Sequence, residues 1–484
     1  MRTLYIVALA LTCASCGGGG SDSIASSPVA VTPATGATTS TPSAPTVSTA
    51  PDDVTKQAFA NFEFSATNAE SFECSLDGVS FEACSSPHIV FPLKVGEHSL
   101  VIRYLDGGET SDEAATTWTV SSIFGDGADT ALDAGLTQST MTPSPVEPNS
   151  WRGIYRVNCD FSHSDYDDPI VFPGMDGAAH LHRFYGNMLL DENTTLTSLF
   201  TTGDSSCQGN KLNRSAYWIP ALIAPSYNPD TGARLTDSKG DPAWKAVPAV
   251  VGNDDVAHEI FYYSAGVDEL DTIDPIPLGL RMIAGEGSAG PDAQQDTAIV
   301  RWHCQSWESS DASNPRWSTS IPECLAPDRL RMDIFFPSCW DGQNLDSSDH
   351  KSHLTYPTVT SGFPNGTFCP ATHPVAIMRV SFHYAWGVTP DVYDPVTMTS
   401  KGWRIASDTY DVDETNPGGM SLHGDWFNAW HPEALEAILT ECIQKELDCH
   451  DGNYGNGARL SGTQPGAQND PEIINMGHGL GSGH

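Results

Sequence analysis

AIMRVSFHYAW, residues 376–386, decides how the large part of this 484-residue chain folds. Ala376, Met378, Val380, Phe382 and Tyr384 alternate with Ile377, Arg379, Ser381, His383 and Ala385. Side chains on a strand change face at every residue, so period two means a strand with one polar face. In QDTAIVRWHCQSW, Ile299, Arg301 and His303 share one face, and Val300, Trp302 and Cys304 the other. LRMDIFF sets Leu330, Met332, Ile334 and Phe336 against Arg331, Asp333 and Phe335. Half-buried strands of this kind predict an antiparallel β-sandwich, jelly-roll-like, for residues 148–450. One helix is expected, in HPEALEAILTECIQKEL, where Pro432 and Glu433 open a first turn. Leu435, Ile438, Leu439, Cys442 and Ile443 then follow at helical spacing, with an end near Asp448.

The chain carries 23 Lys+Arg against 61 Asp+Glu, a formal net charge of −38. Such a field repels DNA and RNA, so nucleic acid is excluded as a phosphate-bound partner. At the N-terminus, MRTLYIVALALTCASCGGGGS places an apolar run too short to span a bilayer before small residues and Cys16. It reads as an export signal over 1–16, and Ala14-Ser15-Cys16-Gly17 resembles a bacterial lipoprotein cleavage box. Lipidation of Cys16 would attach the protein to a membrane by acyl chains alone, at the outer membrane or cell surface; plain secretion is the alternative. Ten cysteines remain after Cys13 and Cys16, an even number in an exported chain, with no C-x-x-C pair. Disulfides are expected, with Cys74–Cys84 and Cys442–Cys449 the two pairings suggested.

Residues 17–45 are Gly, Ser, Thr, Pro and Ala, a flexible linker. Short alternating segments follow (ANFEFSATN, SFECSLDGVSFEAC, HSLVIRYLDG, ATTWTV), the pattern of a small β-sandwich over 46–121. FECSLDGVSFEACSSP, VGEHSLVIRYLDGG and TTWTV together resemble a bacterial immunoglobulin-like repeat of surface proteins. The resemblance implies that Cys74 and Cys84 close a hairpin, that Trp118 lies on the last strand, and that the module is a spacer or adhesive domain. A second linker is expected over 122–147 and a disordered tail over 451–484.

Four stretches of the large domain concentrate residues that a packed core does not need. They are DPIVFPGMDGAAHLHRFYGN, FFPSCWDGQNLDSSDHKSHLTYP, CPATHPVAIMRVSFHYAW and GGMSLHGDWFNAWHPEA. Gly and Pro punctuate all four, which places their polar groups on turns and strand ends. His180 and His182, one residue apart, project to the same side of an extended chain with Cα atoms about 7 Å apart. That spacing suits two ligands of one divalent metal ion, with His423 or one of His350 and His353 completing the set and Asp349 or Asp425 behind them. It equally suits structural histidines.

Without a metal, Asp425 with one of Asp341, Asp346 or Asp349 would serve glycoside hydrolysis. His180 with Tyr185, and Arg183 or Lys351 neutralising charge, would serve a lyase acting on uronic acids. Trp302, Trp340, Trp386 and Trp426 are candidate sugar platforms, though core is the commoner role of a large aromatic. No G-x-S-x-G occurs, so a serine triad has little support.

In order along the chain, Asp168–Gly174, His180–Gly186, Ser215–Pro220, Phe335–Asp346, Asp349–His353 and His423–Trp426 resemble a family of secreted proteins. Its shared domain is catalogued as a domain of unknown function, number 1996. Fungal relatives joined to carbohydrate-binding modules imply an extracellular polysaccharide as partner; the resemblance brings no reaction. The expectation is an exported lipoprotein whose large domain is a polysaccharide hydrolase or lyase centred on His180, His182, Arg183, Tyr185, Asp349, His350, His353, His423 and Asp425. The alternative is a non-catalytic glycan-binding or adhesion protein.

Overall fold

The structure is a computed structural model that describes residues 41–55, 60–90, 93, 96–120, 135–146, 152–248, 261–306, 317–358 and 367–463. The export signal, Cys16 and most of the 17–45 linker lie outside the described residues.

The fold is mainly β. Its N-terminal module has a three-stranded sheet, in which Ala60–Ser65 pairs with Thr46–Thr49 and His88–Val90, and a larger sheet ordered on Gly96–Asp106. Phe62, Phe64, Leu100, Ile102, Trp118 and Val120 fill the space between. Cys74 and Cys84 are disulfide-bonded across the hairpin formed by Ser71–Leu76 and Glu82–Cys84, and Trp118 lies on Ala114–Val120.

The large domain is built on two sheets. The seven-stranded sheet runs Ser144–Pro145, Leu447–Cys449, Ile154–Val157, Phe261–Ser264, Arg379–Gly387, Arg329–Phe335, Val300–Cys304. The five-stranded sheet runs His163–Asp165, His182–Gly186, Ala216–Pro220, His423–Phe427, Arg281–Gly285. Rings from both interlock: Tyr217 stacks on Phe261 at 4.0 Å and Tyr185 meets Tyr384 edge-on at 5.2 Å. Gly424 permits this approach, since a Cβ there would lie 2.9 Å from Ile334 Cδ1 and 3.1 Å from Phe382. Trp302, Trp386 and Trp426 are buried in this core and have no face for a sugar.

Three expectations are corrected. The strand opened above is buried on both faces rather than half-buried, because its polar groups satisfy one another. Ser381 Oγ and His383 Nε2 are 2.9 Å apart, His383 Nδ1 and Asp333 Oδ1 2.8 Å, and Arg301 Nε donates to Asp333 Oδ2 at 2.7 Å. Next, the helix is shorter: regular over Pro432–Ile438, then a wider π-turn over Leu439–Ile443, with Leu447–Cys449 already a strand. Finally, ordered structure extends beyond 148–450 in both directions. Leu136–Gln138, in the expected linker, pairs with Ala458–Leu460, in the expected tail, and Leu460 is buried. Two-stranded pairing supplies the backbone partners that these polar segments lack alone. Residues 464–484 lie outside the described ones.

All ten remaining cysteines are paired: Cys74–Cys84, Cys159–Cys207, Cys304–Cys324, Cys339–Cys369 and Cys442–Cys449.

Candidate metal centre

The outer face of the five-stranded sheet carries the His and Asp groups. Alternation along His423–Phe427 sends Gly424 and Trp426 inward and leaves His423 and Asp425 on the other side. The same rule places His182 and Phe184 outward and Arg183 and Tyr185 inward. The chain from Asp167 to His180 covers the outer face. Asp168 Oδ1 holds that cover by accepting from the Ile170 and Val171 N–H groups at 2.8 Å each, and Trp218 Nε1 donates to its Oδ2 at 3.3 Å.

His180 and His182 lie with ring centroids 4.2 Å apart, and His180 is 5.0 Å from His423. Ligand-type atoms of His180, His182 and His423 all fall within 4.8 Å of one another, and so do those of Asp168, His182 and Asp425. Ligands about 2.0–2.2 Å from one ion stand no further apart than roughly twice that length, so a small contraction closes either set on a cation. All five side chains are buried.

Two of the imidazoles are oriented by the backbone. His182 Nδ1 donates to the Asp167 carbonyl at 2.9 Å, and His423 Nδ1 to the Ser421 carbonyl at 2.8 Å. A carbonyl only accepts, so the proton sits on Nδ1 and the lone pair on Nε2, the arrangement typical of a metal-ligating histidine. Asp425 is the unusual member. It is 0% exposed, and neither carboxylate oxygen takes part in a hydrogen bond; Oδ2 lies 3.9 Å from His423 Nε2. Burial, and then the Asp168 charge, push its carboxyl well above the usual range, opposed by the Lys351 ammonium. A buried carboxylate with no partner costs several kcal/mol, which a bound cation removes.

The remaining expected residues lie elsewhere. Arg183 Nη1 donates to the Val247 carbonyl at 2.8 Å with its guanidinium over Phe161, and Tyr185 packs in the inter-sheet core. In D-H-K-S-H, His350 Nδ1 meets Asp346 Oδ1 at 2.9 Å. His353 bridges Ser347 Oγ and the Arg281 carbonyl at 2.9 and 2.8 Å. Asp349 is exposed and accepts from Ser347, Lys351 and Ser352, so this loop holds its own turn and braces the Arg281–Gly285 strand. Lys351 reaches back to the Gly285 carbonyl at 3.0 Å and to Glu286 Oε2 at 2.9 Å. Asp168 was not among the expected ligands, because Asp before Pro reads first as a turn residue.

Residues 168–430 match the family described as a domain of unknown function (DUF1996), more than half of the chain. No family match covers the N-terminal module, and a search of curated proteins returns no match.

Proposed function

The chain belongs to the DUF1996 family, and we propose that its large domain is a metal-dependent enzyme acting on an extracellular polysaccharide. The observation that carries the reading is Asp425, a carboxylate buried without a hydrogen bond beside two imidazoles whose Nε2 lone pairs are set by backbone carbonyls. Three imidazoles with one or two carboxylates suit a first-row transition ion or zinc, since calcium and magnesium prefer an all-oxygen shell. Such an ion would supply Lewis-acid chemistry. The protein's part is to hold His182 and His423 in one tautomer, to place Asp425 where an ion would offset the cost of its burial, and to exclude water with Trp218, Ile170, Ile283 and Phe427. Export, lipidation at Cys16 and a spacer role for the immunoglobulin-like module complete the proposal and put the domain outside the cytoplasm, where polysaccharide is met.

The test is release of reducing ends from a panel of neutral and acidic polysaccharides by the full-length protein, with and without a chelator. Release that stops with the chelator and in Asp425→Asn supports the proposal. Equal release by Asp425→Asn, or none from any polysaccharide in metal-replete protein, refutes it.

A further inference from the structure

We infer that the cleft bordering the Arg281–Gly285 strand is the substrate groove of the centre and that it takes an uncharged, hydroxyl-rich carbohydrate. The inference rests on the enzyme reading above and deepens it by naming the substrate class. The cleft measures about 490 Å³, within the 300–1,000 Å³ typical of small-ligand sites.

Three observations tie the cleft to the centre. Ile283 and Gly285 line it and are the direct cross-strand partners of Asp425 and His423, so its wall stands about one strand spacing, ~4.8 Å, from the ligand strand. Gln295, also in the lining, donates from Nε2 to the Met420 and Leu422 carbonyls at 2.8 Å each, the segment whose Ser421 carbonyl orients His423. Lys351, also in the lining, donates to the carbonyl of Gly285, the residue paired with His423, at 3.0 Å.

The lining then selects the ligand. Its one ammonium, Lys351, is already bound to Glu286 and to the Gly285 carbonyl. Burial alone would raise the Glu286 carboxyl, but Lys351 outweighs it and holds the group below its usual value, hence ionised. With Asp296 the lining is net acidic, in a chain of net charge −38. A uronate or sulfated chain would enter against that field, and the described lining has no side-chain cation that is not already paired. Carboxylates accept from sugar hydroxyls and amides such as Gln294 both accept and donate, while Ile299, Pro337 and Leu354 offer an apolar floor to the C–H face of a pyranose.

The experiment is calorimetric titration of the full-length protein with laminarihexaose, mannohexaose and xylohexaose, and with hexagalacturonate as the anionic counterpart. Ser288→Trp and Gln294→Trp are run alongside; both positions are exposed in the lining, so the bulk is added without touching the core. Metal content is measured on every sample. The expected result is saturable binding of at least one neutral hexasaccharide, none of the galacturonate, and at least tenfold weaker binding in both Trp variants at unchanged metal content. Galacturonate binding as tight as any neutral sugar, no neutral sugar bound, or binding indifferent to both Trp variants overturns the inference. Sugar binding in a protein that holds no ion would uphold the cleft and remove the metal reading. Ion without sugar would do the reverse.

Discussion

Replacing Asp425 by Asn separates a ligand from a structural acid by the sign of the effect. The carboxylate is 0% exposed and makes no hydrogen bond, and Asp168 is a second acid on the same spot. In metal-free protein burial disfavours the charged form of Asp425, so a neutral amide in its place costs little. The variant should melt within about 1 kcal/mol of the parent, or above it. With an ion present the order reverses. At a free ion concentration of 100 times Kd, binding adds about 2.7 kcal/mol, or roughly 5–10 °C in Tm at about 2–4 °C per kcal/mol. Loss of a charged ligand should weaken affinity by about 100-fold, as even outer-shell changes cost about 10–100-fold, leaving about 0.4 kcal/mol at the same concentration. Melts of both proteins with chelator and with added zinc or manganese measure all four values. A variant that loses several kcal/mol in chelator and keeps the same metal-dependent rise would refute the reasoning, because Asp425 would then be a structural anchor.

Three further outcomes test the surroundings. Asp333→Asn strands the buried Arg301 guanidinium and should cost about 3–5 kcal/mol in urea melts at neutral pH. Burial alone would raise Asp333, but His383 and Arg301 outweigh it and hold it well below the usual carboxylate range. Its contribution is therefore complete above the unfolded value of about 3.9 and is lost as pH falls through the lower folded one, so the deficit of Asp333→Asn should be smaller at about pH 3 than at pH 7. Gly285→Ala should lose about 2–4 kcal/mol and also weaken the ion. Gly285 has φ +85°, and a Cβ there would sit 2.4 Å from the Leu422 carbonyl and 2.9 Å from His423 Cα. His353→Ala should leave metal content unchanged while costing about 1–3 kcal/mol, since it removes the brace on the Arg281 carbonyl.

The β texture of the large domain was legible because alternation over 376–386, 299–304 and 330–336 is a local signal. What became of its polar face was not. Ser381 and His383 read as solvent-facing until Asp333, on the next strand, and Arg301, on the strand beyond it, are brought up, and Arg379 until Ser264 is beside it. His180, His182, His423 and Asp425 could be picked from the sequence as unusual for a core, and the fold does bring them together. Arg183 and Tyr185 lay in the same motif, but whether the side facing His182 is the core side depends on a register that no short stretch reveals. His350 and His353 matched the chemistry equally well; their hydrogen bonds instead fold their own loop and brace the Arg281–Gly285 strand. Leu136–Gln138 and Ala458–Leu460 carry too little hydrophobic pattern to announce a strand, and each gains its structure only from the other.

The most direct test of the central claim is metal content, by mass spectrometry, of the full-length protein beside its His180→Ala/His423→Ala variant. Both chains keep His478 and His484, so adventitious uptake by the C-terminal residues is common to the two. The centre predicts close to one transition-metal ion per chain in the parent and its loss in the variant, with both proteins folded. Equal metal in the two, or none in a parent refolded with zinc, manganese, iron and copper in turn, would contradict it.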